Sequence, residues 1–522
     1  MSELKTVLYK DFGAVGDGVT DDFDAIKAAH EYANREKLPV SADEGKTYYI
    51  GAGHGKDTIT VKTSTNWQNS AFIIDDRFIE AGSADANSNI FTVASDYSPI
   101  KHNEESELVR AINNAGGIKT TDTSLPHKPG HTVMLIPYNK NHRVYIRYGI
   151  NNDAGDEQHE VMIVDGEGNI DKNTPALLDY EAVTSVTELR IDDGPIELVG
   201  GSFLTRANQA PSAYRYFSRG ICIRRSNVTV RKVKHSITDE GEHGAPYIAF
   251  ISVYLANKII CEDCTLQAHR YYYNADPTTG GASPMGTYEL SISNSNDVLF
   301  KNCNQSNYYD LETGKPTKRF FDKDGKPAGE GIWGVMGSNY SKNIVYDGCK
   351  LNRYDAHAGV YNAVIRNCET VMINLIGGGT AIIENSIIHN YTMITLRSDY
   401  GSFWNGDVVI RNTKYVTESK DVSLMLGEWV NHNFGYKTSL PNVYIDGLTV
   451  EAPSDEACIF NDFTAGKDIG DFSGERVMID GEEVENKNPM SMPSVVSIKN
   501  VKGVKLSAAP VGSVMNKIIN VN

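Results

Sequence analysis

Between about Cys222 and Gly447 the chain keeps returning to one pattern of apolar and polar positions. Lys258-Ile-Ile-Cys-Glu-Asp-Cys264, Asp297-Val-Leu-Phe-Lys-Asn-Cys303, Asn343-Ile-Val-Tyr-Asp-Gly-Cys349 and Asn362-Ala-Val-Ile-Arg-Asn-Cys368 are successive copies. Ala381-Ile-Ile-Glu-Asn-Ser386, Val408-Val-Ile-Arg-Asn-Thr413 and Asn442-Val-Tyr-Ile-Asp-Gly447 continue the series. Each unit has a polar turn, a short β-branched run, and then Asn, Asp or Gly before a small residue. A strand unit that recurs while its connecting loops stretch predicts a solenoid of stacked β-coils.

Other stretches modulate this rhythm. Ile196-Glu-Leu-Val-Gly-Gly-Ser-Phe203 and Asn227-Val-Thr-Val-Arg-Lys-Val233 read as earlier coils, and Val495-Val-Ser-Ile-Lys-Asn-Val501 as a last one. A helix from about Asp22 to Arg35, with Thr20 or Asp21 as its cap, places Ile26, Ala29, Tyr32 and Ala33 near one face. A solenoid needs its first coil covered, and this helix is the expected lid. Residues 97–195 lose the repeat. They contain a short helical stretch (Glu104 to Asn114), two alternating segments (Thr132–Ile136, Arg143–Arg147) and a hairpin pattern at Val161-Met-Ile-Val164 before Asp165-Gly-Glu-Gly168. The expected organisation is an N-terminal cap with first coils (1–96), a β-rich insertion (97–195) that could wall a groove, and the main solenoid (196–522).

The 522 residues carry a net charge of −17, which argues against nucleic acid or anionic membranes as partners. It also requires any anionic polymer to find a local basic patch. No apolar run of about 18 residues is present, so no spanning helix is expected. Met1-Ser-Glu-Leu-Lys is not followed by an apolar leader segment. The chain therefore reads as a secreted or periplasmic form whose leader is not part of it, with the cytoplasm as the alternative. Four of the seven cysteines recur at one repeat position, which predicts stacked buried thiols rather than disulfides. Cys261-Glu-Asp-Cys264 has a metal-like spacing but no second pair, so no metal or other cofactor is expected.

Asp11-Phe-Gly-Ala-Val-Gly-Asp-Gly-Val-Thr-Asp-Asp22 resembles the N-terminal signature of the pectate-lyase superfamily of right-handed parallel β-helices. That grouping includes polygalacturonases, other glycoside hydrolases, polysaccharide lyases and phage tailspikes. The resemblance covers residues 10–50, the coil rhythm extends it to about Gly447, and it implies an all-β, right-handed parallel β-helix with a carbohydrate ligand. It does not fix the chemistry. Polygalacturonases carry Asp-Asp, Gly-His-Gly and Arg-Ile-Lys on successive coils. Here Asp355-Ala-His357 stands where Asp-Asp would be, Glu242-His-Gly244 comes far too early, and Arg-Ile-Lys is absent.

Chemistry on such a solenoid is expected on outward positions of one sheet. Asp355 and His357 follow the repeat ending at Asn352, and Thr395-Leu-Arg-Ser-Asp-Tyr400 sends Arg397 outward with Asp399 at the strand end. In Thr287-Tyr-Glu-Leu-Ser-Ile292, Leu290 and Ile292 read as inward and Glu289 and Ser291 as outward, giving Glu289 and His357 one outward column two coils apart. Asp239, Arg270 and Asp355 share a repeat position, with His243 and His269 beside them, and read as one groove. Tyrosines number 28, and Trp333, Tyr354, Tyr400 and Trp404 are among the rings placed to stack on sugars.

Three readings stay open. The first is a glycoside hydrolase using Asp355 and Glu289 as acid and base or nucleophile, with His357 and Arg397 positioning substrate. Asp239, His243, His269, Arg270, Trp333, Asp399, Tyr400 and Trp404 would then line the glycan. The second is a polysaccharide lyase with Arg397, Arg270 or His357 as the base. The third is a non-catalytic glycan-binding or tailspike-like protein. The sugar and the oligomeric state are not legible.

Overall fold

A computed structural model describes residues 6–149, 152–210, 216–239, 244–266, 271–275, 282–286, 288–305, 334–464, 469–513 and 515–519. The repeats are the coils of a parallel β-helix. Register runs Val228↔Ile259↔Val298↔Ile344↔Ala363↔Ala381↔Val408↔Val443↔Val496, so one inward position is stacked through nine consecutive strands. All of these strand pairs are parallel, each coil lying one strand spacing from the next.

The second half of each repeat has a backbone cause. Asp263, Asn302, Asn367, Asn385 and Asn412 lie at φ between 44° and 55°, and Gly348 and Gly447 at 66° and 87°. This left-handed corner turns the chain from one sheet to the next, and Asn, Asp and Gly tolerate it best. The following residue drops into the core: Cys264, Cys303, Cys349 and Cys368 are buried and unbridged, and Ser386 and Thr413 continue the column. The expected thiol stack is present.

The helix Phe23–Glu36 caps the first coil by burying Phe23, Ile26, Ala29, His30 and Ala33. Tyr32, expected near that face, is exposed and packs on Phe12 and Arg35 instead. Asp22 begins the helix without a side-chain cap bond; its carboxylate accepts from Val15 N and Gly16 N and ties the glycine-rich loop to the lid.

The chain leaves the solenoid after the strand Phe91–Ala94 and re-enters at Ile196–Arg206, which pairs directly with Thr65–Asp75. The residues between therefore occupy one loop between consecutive coils. They form an antiparallel sheet in which Val133–Val144 pairs with Asp156–His159, Met162–Val164 and Ser185–Arg190. The helix Glu107–Asn114 packs its Leu108, Val109 and Ile112 into a small core of the insertion's own. A buried ion pair fixes this module to the solenoid: Lys342 Nζ lies 2.6 Å from Glu160.

Candidate functional site

The strand Arg353–Arg366 alternates its faces: Tyr354 and Ala356 enter the core, while Arg353, Asp355 and His357 take the other face. One coil on, Asn374 stands opposite Asp355 and donates to it at 2.8 Å. The guanidinium of Arg353 pairs with the other Asp355 oxygen. The next coil ends in a tight turn, Ser398–Tyr400, closed by Gly401 at φ 80°. A Cβ on Gly401 would meet Phe434 and Thr438 at 2.8 Å, so the turn needs glycine for space as well as conformation. This turn aims Arg397, Asp399 and Tyr400 at the same place. Arg397 holds Asp399 bidentately at 3.0 and 2.6 Å.

The insertion completes the cluster. Arg147 bonds Asp399 at 3.1 and 2.7 Å, and the guanidiniums of Arg147 and Arg397 both lie over the Tyr400 ring at 5.1 and 4.9 Å. Tyr145 packs edge-on against Tyr340 and Tyr400, and Tyr340 in turn contacts Asp156 and His159 of the insertion. Residues 252 positions apart thus share one site.

Three guanidiniums face two carboxylates here. Burial alone would push Asp355 up, but Arg353, Arg397 and the Asn374 amide outweigh it and hold the carboxyl below its ordinary value. Asp399 is likewise raised by burial yet pulled lower by Arg397 and Arg147. His357 is driven the other way, down to about 3, by burial and then by Arg397. It is neutral. Its Nδ1 lies 3.1 Å from the Asn339 side-chain oxygen and donates there, which leaves the Nε2 lone pair facing the Tyr400 hydroxyl at 3.5 Å. Burial raises that phenol to about 12 despite both arginines, so it keeps its proton.

Asp355, His357, Arg397, Asp399 and Tyr400, all singled out in the sequence, are neighbours in this cluster. Glu289 is not on the outward column with His357. Its side chain is fully buried and lies 2.6 Å from His235 Nδ1, and His235 is stacked at 3.8 Å on Phe250 of the core. The cause is a corner. Glu289 sits one coil beyond Phe250, where two successive residues turn inward, as Phe250 and Ile251 do, and strict alternation fails. Trp404 is also corrected: it is a fully buried core residue whose Nε1 donates to backbone oxygens, so it has no face for a sugar. Tyr354 is buried in the same way. Asp239 is exposed beside Arg206, at 3.8 Å. His243, His269, Arg270 and Trp333 lie outside the described residues.

Sequence reasoning missed Arg353, Asn374 and Arg147. The first two were available, because Arg353 shares the parity of Asp355 and His357, and Asn374 is the next repeat's counterpart of Asp355. Nothing local marks Arg147. Among the described residues no group of three or more His, Cys, Asp or Glu could hold a metal ion, and no helix is long and apolar enough to cross a membrane.

No family model and no curated protein matches this sequence. Among solved structures, the tailspike gp61 of Pseudomonas phage phi297 is similar over 88% of this chain and 80% of its own, at 12% identity and a TM-score of 0.42. The A-module of the mannuronan C-5 epimerase AlgE4 of Azotobacter vinelandii matches over 97% and 98% at 11% identity and 0.41. The Streptococcus pneumoniae surface adhesin PfbA matches over 97% and 100% at 12% identity and 0.40. These are all β-helical neighbours, and likeness at this level carries no argument about chemistry.

Proposed function

We propose that this chain is a carbohydrate-active enzyme and that the Asp355–His357–Arg397–Asp399–Tyr400 cluster works on an acidic glycan. The observation that supports this reading is the distribution of charge. Both carboxylates are ion-paired and ionised, while the imidazole is neutral with its Nε2 lone pair held only by a long contact, 3.5 Å, from a protonated phenol. Glycoside hydrolysis requires a carboxylic acid to protonate the leaving oxygen. Neither Asp355 nor Asp399 can serve, and Glu289 is sealed in the core.

The arrangement fits proton abstraction next to a uronate carboxylate. The site's guanidiniums would neutralise that carboxylate and the charge that develops on it. His357 Nε2 takes the proton from the carbon beside the carboxylate. The freed electron pair forms a carbon–carbon double bond as the glycosidic carbon–oxygen bond breaks, and Tyr400 gives its proton to the departing oxygen. The proton on His357 then returns to the Tyr400 oxygen. A bound uronate would also offset the positive field that depresses His357, making the base stronger when substrate is present.

The test is digestion of a panel of uronate and neutral glycans by the wild type, His357→Asn and Asp355→Asn. New reducing ends should appear together with the ultraviolet absorbance of an unsaturated uronate, and the His357 variant should abolish both. Reducing ends without absorbance would replace this reading with hydrolysis. Binding without turnover would replace it with a non-catalytic glycan-binding protein.

A further inference from the structure

A cleft of about 680 Å³ opens between the insertion and the solenoid and shares no residue with the Asp355 cluster. Register builds its floor. Val228, Ile259, Val298 and Ile344 are stacked, so the residues just before them, Asn227, Lys258, Asp297 and Asn343, form a column with one residue per coil. All four are left-handed, at φ 58°, 60°, 54° and 57°. Beside them runs an amide ladder: Asn296 donates to Asn257 at 2.8 Å and Asn343 donates to Asn296 at 2.7 Å. Asp171 and Arg190 of the insertion form part of the opposite wall.

Asparagine suits this corner, and the column uses it at 227, 343 and 362. Lys258 and Asp297 depart from it in the two middle coils. Each puts a charge on the cleft floor, and neither makes a hydrogen bond or ion pair with a described residue. Lysine gains nothing from a left-handed backbone, so Lys258 is not explained by the turn. Partial desolvation in the cleft, with Asp171 nearby, lifts the Asp297 carboxyl above its ordinary value although the residue stays exposed, and Lys258 only partly counters this.

We propose that this cleft is a second glycan-binding site, which holds, by their hydroxyls, sugar residues of the polymer that do not react. The inference rests on the carbohydrate reading of the chain. Sugar hydroxyls both donate and accept. The floor offers an unpaired donor at Lys258 and an unpaired acceptor at Asp297, about 4.8 Å apart along the solenoid, on a rigid amide ladder. The volume is that of an ordinary ligand site. Holding one part of a polymer here raises its effective concentration at the Asp355 cluster without taking part in the chemistry.

The variant that tests this is Lys258→Asn with Asp297→Asn. It removes both charges yet restores the residue that the same corner carries in neighbouring coils, so the backbone is preserved. Hydrogen exchange of the full chain would be followed with alginate, polygalacturonate, hyaluronate and xylan, alongside polymer affinity and turnover of a trisaccharide. For the polymer that binds, wild type should show protection over 257–259, 296–298 and 171–173. The double variant should lose it, weaken polymer binding at least fivefold and leave trisaccharide turnover unchanged. Unchanged polymer affinity in the double variant, or no protection of the cleft with any glycan, overturns the proposal. Loss of turnover in His357→Asn alongside an unaffected double variant would retain the catalytic reading and remove this one. Cleft protection by a polymer that is never cleaved would do the reverse.

Discussion

Two carboxylate–imidazole pairs lie within two coil steps of each other on the same solenoid, and the protein treats them oppositely. At Glu289 and His235 both imidazole nitrogens are engaged, Nδ1 at 2.6 Å from the carboxylate and Nε2 at 2.9 Å from Thr205 Oγ1. The ring is stacked on Phe250, and Thr205, Phe250 and Glu289 are all buried. At Asp355 and His357 the carboxylate is held by Arg353 and Asn374 instead, and the imidazole keeps Nε2 directed at a phenol flanked by two guanidiniums. Residue type does not separate the two. Position relative to the corner and the covering insertion do: one pair faces the core and is used up in packing, while the other faces the insertion and keeps Nε2 in reach of a phenol.

The largest contrast is expected in activity. His357→Asn should lower turnover by about 10²–10⁴-fold, the range of a lost general base, while the circular dichroism spectrum is unchanged. Lys342→Met should act on stability, leaving Glu160 buried without its cation; about 3–5 kcal/mol of unfolding free energy should be lost, measured by denaturant titration. Acidification comes next. His30 is neutral in the fold, pushed by burial down to about 3 from 6.5. Between those values the unfolded chain binds the extra proton, so stability rises with pH and is lost as pH falls from about 6.5 toward 3. Asp355 and Asp399, held low, add to the loss only as pH drops below about 4. Melting temperatures that stay flat from pH 7 to pH 4 would contradict this assignment. Glu289→Ala should cost about 1–3 kcal/mol by leaving His235 Nδ1 without its carboxylate, and should spare turnover. A Glu289 variant that melts like wild type but has lost turnover would erase the distinction between the two pairs.

The repeat made the solenoid, the lid helix and the thiol stack legible, because each follows from a local rule: alternation, an amphipathic period, and a left-handed residue before a small one. The same alternation correctly placed Leu290 and Ile292 in the core and Asp355 and His357 out of it. It failed at Glu289, and Trp404, read as a groove aromatic rather than by alternation, is buried for the same reason. Both stand at the start of a strand, next to a corner, where successive residues can face inward and parity carries no information. It could not reach Arg147, Tyr145 or the Lys342–Glu160 lock, since the docking of an insertion onto distant coils is a tertiary fact with no periodic trace. Net charge could not locate the local basic patch that the sequence reading required: −17 over the chain coexists with a cluster of three arginines, because electrostatics at a site is set by neighbours within a few ångströms.

The smallest expected effect sharpens the comparison most. Asp239 shares the repeat position of Asp355, and sequence alignment alone would give the two equal weight. Their surroundings differ. Asp355 is buried, with an amide on one oxygen and a guanidinium on the other, whereas Asp239 leaves nearly half its side chain in water and meets Arg206 at 3.8 Å. An exposed pair at that distance is screened and contributes little. Asp239→Asn should therefore leave stability within about 0.5 kcal/mol and turnover within about twofold, measured beside Asp355→Asn under the same conditions. If both variants lose activity alike, repeat position rather than local packing governs this site, and the groove extends across the coils that lie between them.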